Sequence, residues 1–200
     1  MEHRYFIVNK PFNMVSQFVS PDPVNLLGDL SFDFPEGTHA IGRLDNDSEG
    51  LLILTTNKKV TRLLFNSGKA HERTYLVRVK GVMSEASLKR LQTGVPICLS
   101  GQLYYTTPPC RVEITERPPG LFNRPQELTA AAPHTWLYIT LTEGKFRQVR
   151  KMVDAVRHRC QRLIRVSIED LQLGDLAPGA VRELSETAFF TLLKIDPDRD

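Results

Sequence analysis

The chain has 200 residues, 41% hydrophobic and 24% charged, enough apolar material for the core of one domain or of two closely joined halves. Three scattered cysteines, Cys98, Cys110 and Cys160, exclude a disulfide framework, and His158 with Cys160 lacks the second pair of ligands that a zinc site needs. No basic-then-apolar leader opens the sequence and no apolar run approaches the roughly twenty residues that span a bilayer, so a cytosolic protein is expected.

Tyr5-Phe6-Ile7-Val8 predicts a short strand closed by Lys10-Pro11. Residues 13–40 are turn-rich and acidic, with little periodicity. Gly42 to Gly50 predicts a tight loop, followed by a buried strand over Leu51 to Thr56. Val60, Leu63 and Leu64 fall at helical spacing within Lys58 to Asn66, and Gly68 is placed to end that helix. Thr74 to Lys80 alternates as a strand does. Ser84 is a cap for a helix running to about Leu91, with Gly94 after it. Strands are expected near 95–99, 102–107 and 110–115. Residues 116–135 hold four prolines and predict a long loop. Trp136 to Thr142 reads as a strand. Phe146, Val149, Met152, Val153 and Val156 then form a helical stripe that leaves Arg147, Arg150, Lys151 and Arg157 off it. Arg162 to Ile168 and Ala188 to Ile195 are predicted as the last two strands. Many strands with few helices, unevenly ordered, imply an α+β fold with a largely antiparallel sheet.

The net charge of +3 is unevenly spread. From Pro21 to Thr56 there are seven acids and one base, Arg43; from Lys145 to Arg165 there are eight bases and one acid, Asp154. The basic block points to an anionic partner, nucleic acid first, although a solvated helix face explains the count equally well. Gly144 stands where the free N–H groups of the following helix favour an anion. The segment Gly42-Arg43-Leu44-Asp45-Asn46-Asp47-Ser48-Glu49-Gly50-Leu51 sets a carboxylate and an arginine on a loop braced by a strand, a common setting for chemistry. It partly imitates a calcium loop. Yet its fifth position is Glu49, its twelfth is Thr56, and a strand follows where a helix is needed. His39, His71, His134 and His158 form no triad-like pattern.

Four segments, in order, resemble the motifs of the RsuA/RluB/RluE/RluF branch of bacterial pseudouridine synthases. Tyr5-Phe6-Ile7-Val8-Asn9-Lys10-Pro11 is similar to its first motif. Gly42-Arg43-Leu44-Asp45 through Ser48-Glu49-Gly50-Leu51-Leu52 is similar to its second. Arg73-Thr74-Tyr75 resembles its Lys-x-Tyr segment, and Glu143 through Met152 its third motif. Arg162-Leu163-Ile164-Arg165 and Leu173 to Gly179 resemble its tail. Departures are Phe146 in place of a more polar residue, Arg157-His158-Arg159-Cys160 in place of a short glycine turn, and Glu169-Asp170 where glycine turns are usual. Most of the branch carries an N-terminal S4 domain. Here only Met1 to Arg4 precede the first strand, which together with the proline-rich loop points to the E-type members.

The resemblance implies a single catalytic domain over residues 1–200. It would have approximate subdomains 1–72 and 73–200, a basic cleft between them, and a C-terminal strand that returns to the first subdomain. It implies isomerisation of a uridine in 23S rRNA, in domain V, with no cofactor and no metal. Asp45 would be the catalytic carboxylate, with Arg150 as its ion-pair partner. Tyr75 would stack on the uracil and act as a base. Arg43 would help extrude the nucleotide, and Leu163 or Ile164 would form an apolar floor. Lys145, Arg147, Lys151, Arg162 and Arg165 would contact phosphates. The expected partner is 23S rRNA, free or in an assembling subunit, met by a monomer. In isolation each of these residues has a plainer role: a turn for Asp45, core for Tyr75, Leu163 and Ile164, solvated helix face for Arg150. The rival readings are an RNA-binding assembly factor of the same fold and a hydrolase using Asp45 on a small anion.

Overall fold

The computed structural model describes residues 2–65, 68–124, 127 and 131–197. The fold is α+β with a mostly antiparallel sheet. The chain forms two units, Met1–Arg73 with Ile164–Asp200, and Thr74–Leu163.

In the first unit, β1 (Tyr5–Lys10) runs antiparallel to β3 (Glu49–Thr55) on one side and to β11 (Val181–Leu184) on the other. Every residue of β1 and β3 is buried, which is why both read as continuous apolar runs rather than as alternation. Their register places Lys10 opposite Gly50, so the end of the first motif lies beside the end of the second. β2 (His39–Ile41) pairs with β3, and β10 (Leu171–Gln172) with β9 (Cys160–Ile168). The β3–β9 pairing is parallel, Glu49 with Ile164 and Gly50 with Arg165. The short helix α1 (Val60–Phe65) buries the three apolar residues that predicted it; Asn66 lies outside the described residues.

The predicted strand over Ala188 to Ile195 is instead the helix α4 (Glu186–Leu193). Ser185 caps it by accepting a bond from the Ala188 amide, and Glu186 lies in its first turn. Phe189, Phe190 and Leu193 are its buried stripe, and the Phe189 ring lies 4.5 Å from that of Tyr5. A short apolar run cannot by itself tell a buried strand from a buried helix, and here the cap decides. β2, β10 and β11 were not predicted. They are short, and β11 is a half-exposed Val-Arg-Glu-Leu with no apolar run to mark it.

In the second unit the strand order is β9, β4 (Arg73–Lys80), β8 (His134–Leu141), β7 (Arg111–Thr115). A separate hairpin joins β5 (Pro96–Ser100) to β6 (Leu103–Thr106). The helix α2 (Glu85–Thr93) is capped by the Ser84 hydroxyl and ends at Gly94 with φ of 110°. The helix α3 (Gln148–Ala155) packs Val149, Met152 and Val153 against Val77, Val79, Leu137 and Ile139 in one core.

The proline-rich loop is tied down in its described part. Glu127 accepts two bonds at 3.1 Å from the Arg162 guanidinium, Arg78 lies 4.0 Å from the same carboxylate, and Arg124 donates to the Gln161 carbonyl. Burial pushes the Glu127 carboxyl up, but Arg162 and the Arg124 amide outweigh it and hold the group below its ordinary range.

Candidate catalytic site

The Asp45 loop is fixed from residues 10–16. The Ser16 hydroxyl, 6% exposed, donates to the Leu44 carbonyl at 2.9 Å and accepts from the Leu44 amide at 3.0 Å. One side chain thereby satisfies both polar groups of the residue before Asp45. The Asn13 amide donates to the Asn46 carbonyl at 2.9 Å, and the Asn46 side chain donates to that of Asn13 at 3.2 Å. The Ser48 amide returns to the Asp45 carbonyl at 3.0 Å, closing the turn. Asp45 is half-buried on this frame, Arg43 is exposed, and Ser48 and Glu49 are buried.

Lys10 is fully buried and donates to the carbonyls of Pro11 at 2.9 Å and Met14 at 2.6 Å. Burial lowers its ammonium to about 8, against the opposing pull of Glu49, Asp47 and Asp45. The carboxylates that imitate a calcium loop therefore share the field of an ammonium.

Two glycines make the loop possible. Gly50, at φ of 102°, sits so close to β9 that a Cβ would lie 2.3 Å from the Arg165 carbonyl oxygen. Gly42, at φ of 70°, faces the Phe65 ring, whose Cβ-to-ring approach would be 3.0 Å. The Arg73 guanidinium lies 5.3 Å from the centre of that ring, so the arginine of the Arg73-Thr74-Tyr75 segment reaches the second motif through Phe65.

In the second unit, Tyr75 is half-buried on β4 and packs against the core that holds Val77 and Val79. Arg150 is half-buried in the first turn of α3. The turn before α3 is cross-braced. Gln148, 4% exposed, donates to Glu143 at 2.6 Å and accepts from the Lys145 amide at 2.8 Å. Tyr105 donates to the other Glu143 oxygen at 2.7 Å. Arg147 adopts φ of 52°, a conformation that costs an arginine on the order of 1 kcal/mol and is found where geometry matters.

Two of the expected phosphate contacts are corrected. Arg162 is 2% exposed and held by Glu127. Arg165 is 5% exposed, and its Nε donates to the Leu51 carbonyl at 2.8 Å. Both brace strands and present no guanidinium to solvent, because they lie in the interior of β9 where the sequence showed only charge. Lys145 is exposed and Arg147 and Lys151 are half-exposed, as phosphate contacts need to be; Leu163 and Ile164 are buried. Ser16, Lys10, Asn13, Phe65 and Gln148 were missed as site residues. Lys10 and Gln148 had a sequence signal, their places in the first and third motifs.

The chain is similar to known proteins over most of its length. The family model for RNA pseudouridylate synthases matches residues 4–155. The chain is 39% identical over 186 residues to ribosomal large subunit pseudouridine synthase E of Vibrio vulnificus (strain CMCP6), covering 92% of this chain and 76% of that protein. It is 36% identical over 176 residues to the protein of the same name from Xanthomonas axonopodis pv. citri (strain 306), covering 86% and 89%. A crystal structure of a pseudouridylate synthase superposes with a TM-score of 0.76 at 26% identity, over 96% of this chain and 74% of that one. With its aspartate loop, its braced turn before α3 and these relatives, the chain belongs to the RNA pseudouridylate synthase family and is a pseudouridine synthase.

Proposed function

We propose that this enzyme converts a uridine of 23S rRNA, in domain V, to pseudouridine, with Asp45 as its catalytic carboxylate. The observation that carries the reading is the Asp45 loop itself: a half-buried carboxylate on a backbone clamped from both sides by Ser16 and served by a buried ammonium. A turn-forming aspartate needs neither. The names of the relatives supply the large ribosomal subunit as substrate class.

The reaction breaks the N–C glycosidic bond, turns the base and forms a C–C bond at C5; the C5 hydrogen leaves to solvent and N1 takes up a proton, so the product is an isomer of uridine. Asp45 attacks or electrostatically steadies the reacting centre, and a preorganised loop loses nothing to reorganisation in doing so. Arg150 supplies positive charge for that carboxylate. Tyr75 stacks on the uracil and moves its proton, Arg43 fills the space the nucleotide leaves, and Leu163 and Ile164 form the apolar floor. Extruding the base costs a few kcal/mol, offset by phosphate contacts to Lys145, Arg147 and Lys151. The enzyme works in the cytoplasm as a monomer.

The test is tritium release from unmodified 23S rRNA labelled at uridine C5, with Asp45→Asn alongside. Release by the wild type alone supports the reaction and the residue. Equal release by Asp45→Asn overturns the residue. Release from 16S rRNA or tRNA but not from 23S rRNA overturns the substrate, and binding without release leaves the assembly-factor reading standing.

A further inference from the structure

The turn that leads into α3 carries a feature which the reaction itself does not use. Phe146 is 70% exposed, with Lys145 before it and Arg147 after it. Exposed phenylalanines are ordinary on mobile loops, but this one is held from beneath. Tyr105, Glu143 and Gln148 form an unbroken hydrogen-bond chain, with bonds of 2.7 and 2.6 Å, and Gln148 closes it onto the Lys145 amide at 2.8 Å. The Gln148 amide returns to the Lys145 carbonyl at 3.1 Å. The lysines on either side are also placed. The Lys151 Nζ lies 5.3 Å from the centre of the Phe146 ring, and the Lys145 Nζ lies 5.0 Å from that of Tyr105.

We propose that Phe146 is a stacking platform for one unpaired RNA base, with Lys145 and Lys151 holding the phosphates on either side of it. The proposal rests on the RNA substrate assigned above and adds a residue to it. A rigid exposed aromatic bracketed by cations matches what single-stranded RNA offers: a flat π-face at each base and a negative charge at each linkage. A protein partner fits less well, because lysine is depleted at the centres of protein interfaces. A base-paired helix offers no free face to the ring.

The experiment measures binding of a fluorescent single-stranded RNA of about 12 nucleotides, within the site sizes of stacking proteins, and of a fully paired RNA hairpin. Wild type is compared with Phe146→Ala, Phe146→Leu and Phe146→Trp, and thermal melting shows that each variant is folded. Phe146→Ala is expected to weaken single-strand binding by about 5- to 150-fold, the range of one base–aromatic stack. Phe146→Leu weakens it similarly, Phe146→Trp retains it, and hairpin binding is unmoved. The slope of log Kd against log salt stays at the wild-type value in all three, whereas Lys145→Met lowers it by about 0.7. Wild-type binding by Phe146→Leu, or an equal loss for the hairpin, overturns the platform. If the wild type releases tritium from 23S rRNA yet shows either result, only the platform falls. If it binds neither RNA, the substrate reading falls with it.

Discussion

Gly50→Ala probes the contact that fixes the Asp45 loop to the sheet. At φ of 102° an alanine is strained whatever the space around it. The space is also absent: the new Cβ would lie 2.3 Å from the Arg165 carbonyl oxygen, 2.8 Å from the Arg165 nitrogen and 2.9 Å from Ile164 Cγ2. Two of those atoms are backbone of the paired strand, so no rotamer change relieves the clash. Strain of about 1–2 kcal/mol for the dihedral and about 1–3 kcal/mol for overpacking gives roughly 2–5 kcal/mol in all. For a chain of this size that is a fall in melting temperature of about 4–20 °C by calorimetry. Gly37→Ala is the control, since Gly37 has φ of 82° but nothing within 4 Å of its would-be Cβ. It should show the dihedral cost alone. Turnover of Gly50→Ala, assayed well below its melting temperature, should fall about 100-fold if β3 shifts by an ångström, because Asp45 lies five residues away. Equal melting temperatures for the two variants would refute the reasoning, for then the approach of Gly50 to β9 restrains nothing.

Ser16→Ala removes both bonds to Leu44 and should cost about 1–3 kcal/mol in urea unfolding. It should also lower kcat more than it raises KM, since it frees the loop and touches no RNA. Lys10 has a folded pKa of about 8 against 10.5 unfolded, so its buried charge is a full penalty below pH 8 that fades as pH rises to 10.5. The wild type should gain roughly 3 kcal/mol from this group across that window, and Lys10→Met should lack the gain; parallel curves of unfolding free energy against pH would contradict this. Glu127→Gln should cost about 3–5 kcal/mol at pH 7, because it strips the carboxylate from the buried Arg162. Glu127 is an acid with a depressed pKa, so the wild type gives up this group's contribution as pH falls below 4.5, and the gap between wild type and variant narrows there.

The elements with strong local signals were legible in the sequence. β1 and β3 showed as apolar runs, α2 as a Ser84 cap with a closing Gly94, and α3 as a stripe of which Val149, Met152, Val153 and Val156 are buried, while Phe146, placed on it, precedes the helix and is exposed. The ordered motifs marked the loop on which Asp45 lies. Long-range fixtures were not legible. Nothing near Ser16 says that its hydroxyl bonds to a peptide 28 residues on, and nothing near Arg162 says that Glu127 will neutralise it. Charge counting misread Arg162 and Arg165 for the same reason: a count of bases cannot separate a buried strut from a surface cation. α4 was misread because Phe189 and Phe190 carry strong β-propensity, and the cap at Ser185 was not weighed against it.

The acidic character of residues 21–56 looks unsuited to an enzyme whose substrate is a polyanion, yet it has a physical use. Residues 42–51 carry three acids, Asp45, Asp47 and Glu49, against one base, Arg43. On the proposed function, a loop with that excess of acids repels phosphate. It does not repel uracil or ribose, which carry no charge. On the same proposal the phosphates are drawn to the basic run from Lys145 to Lys151, where the exposed lysine lies. On this account salt weakens binding through the basic run alone, so kcat at saturating RNA should hold steady from low to high salt while KM climbs.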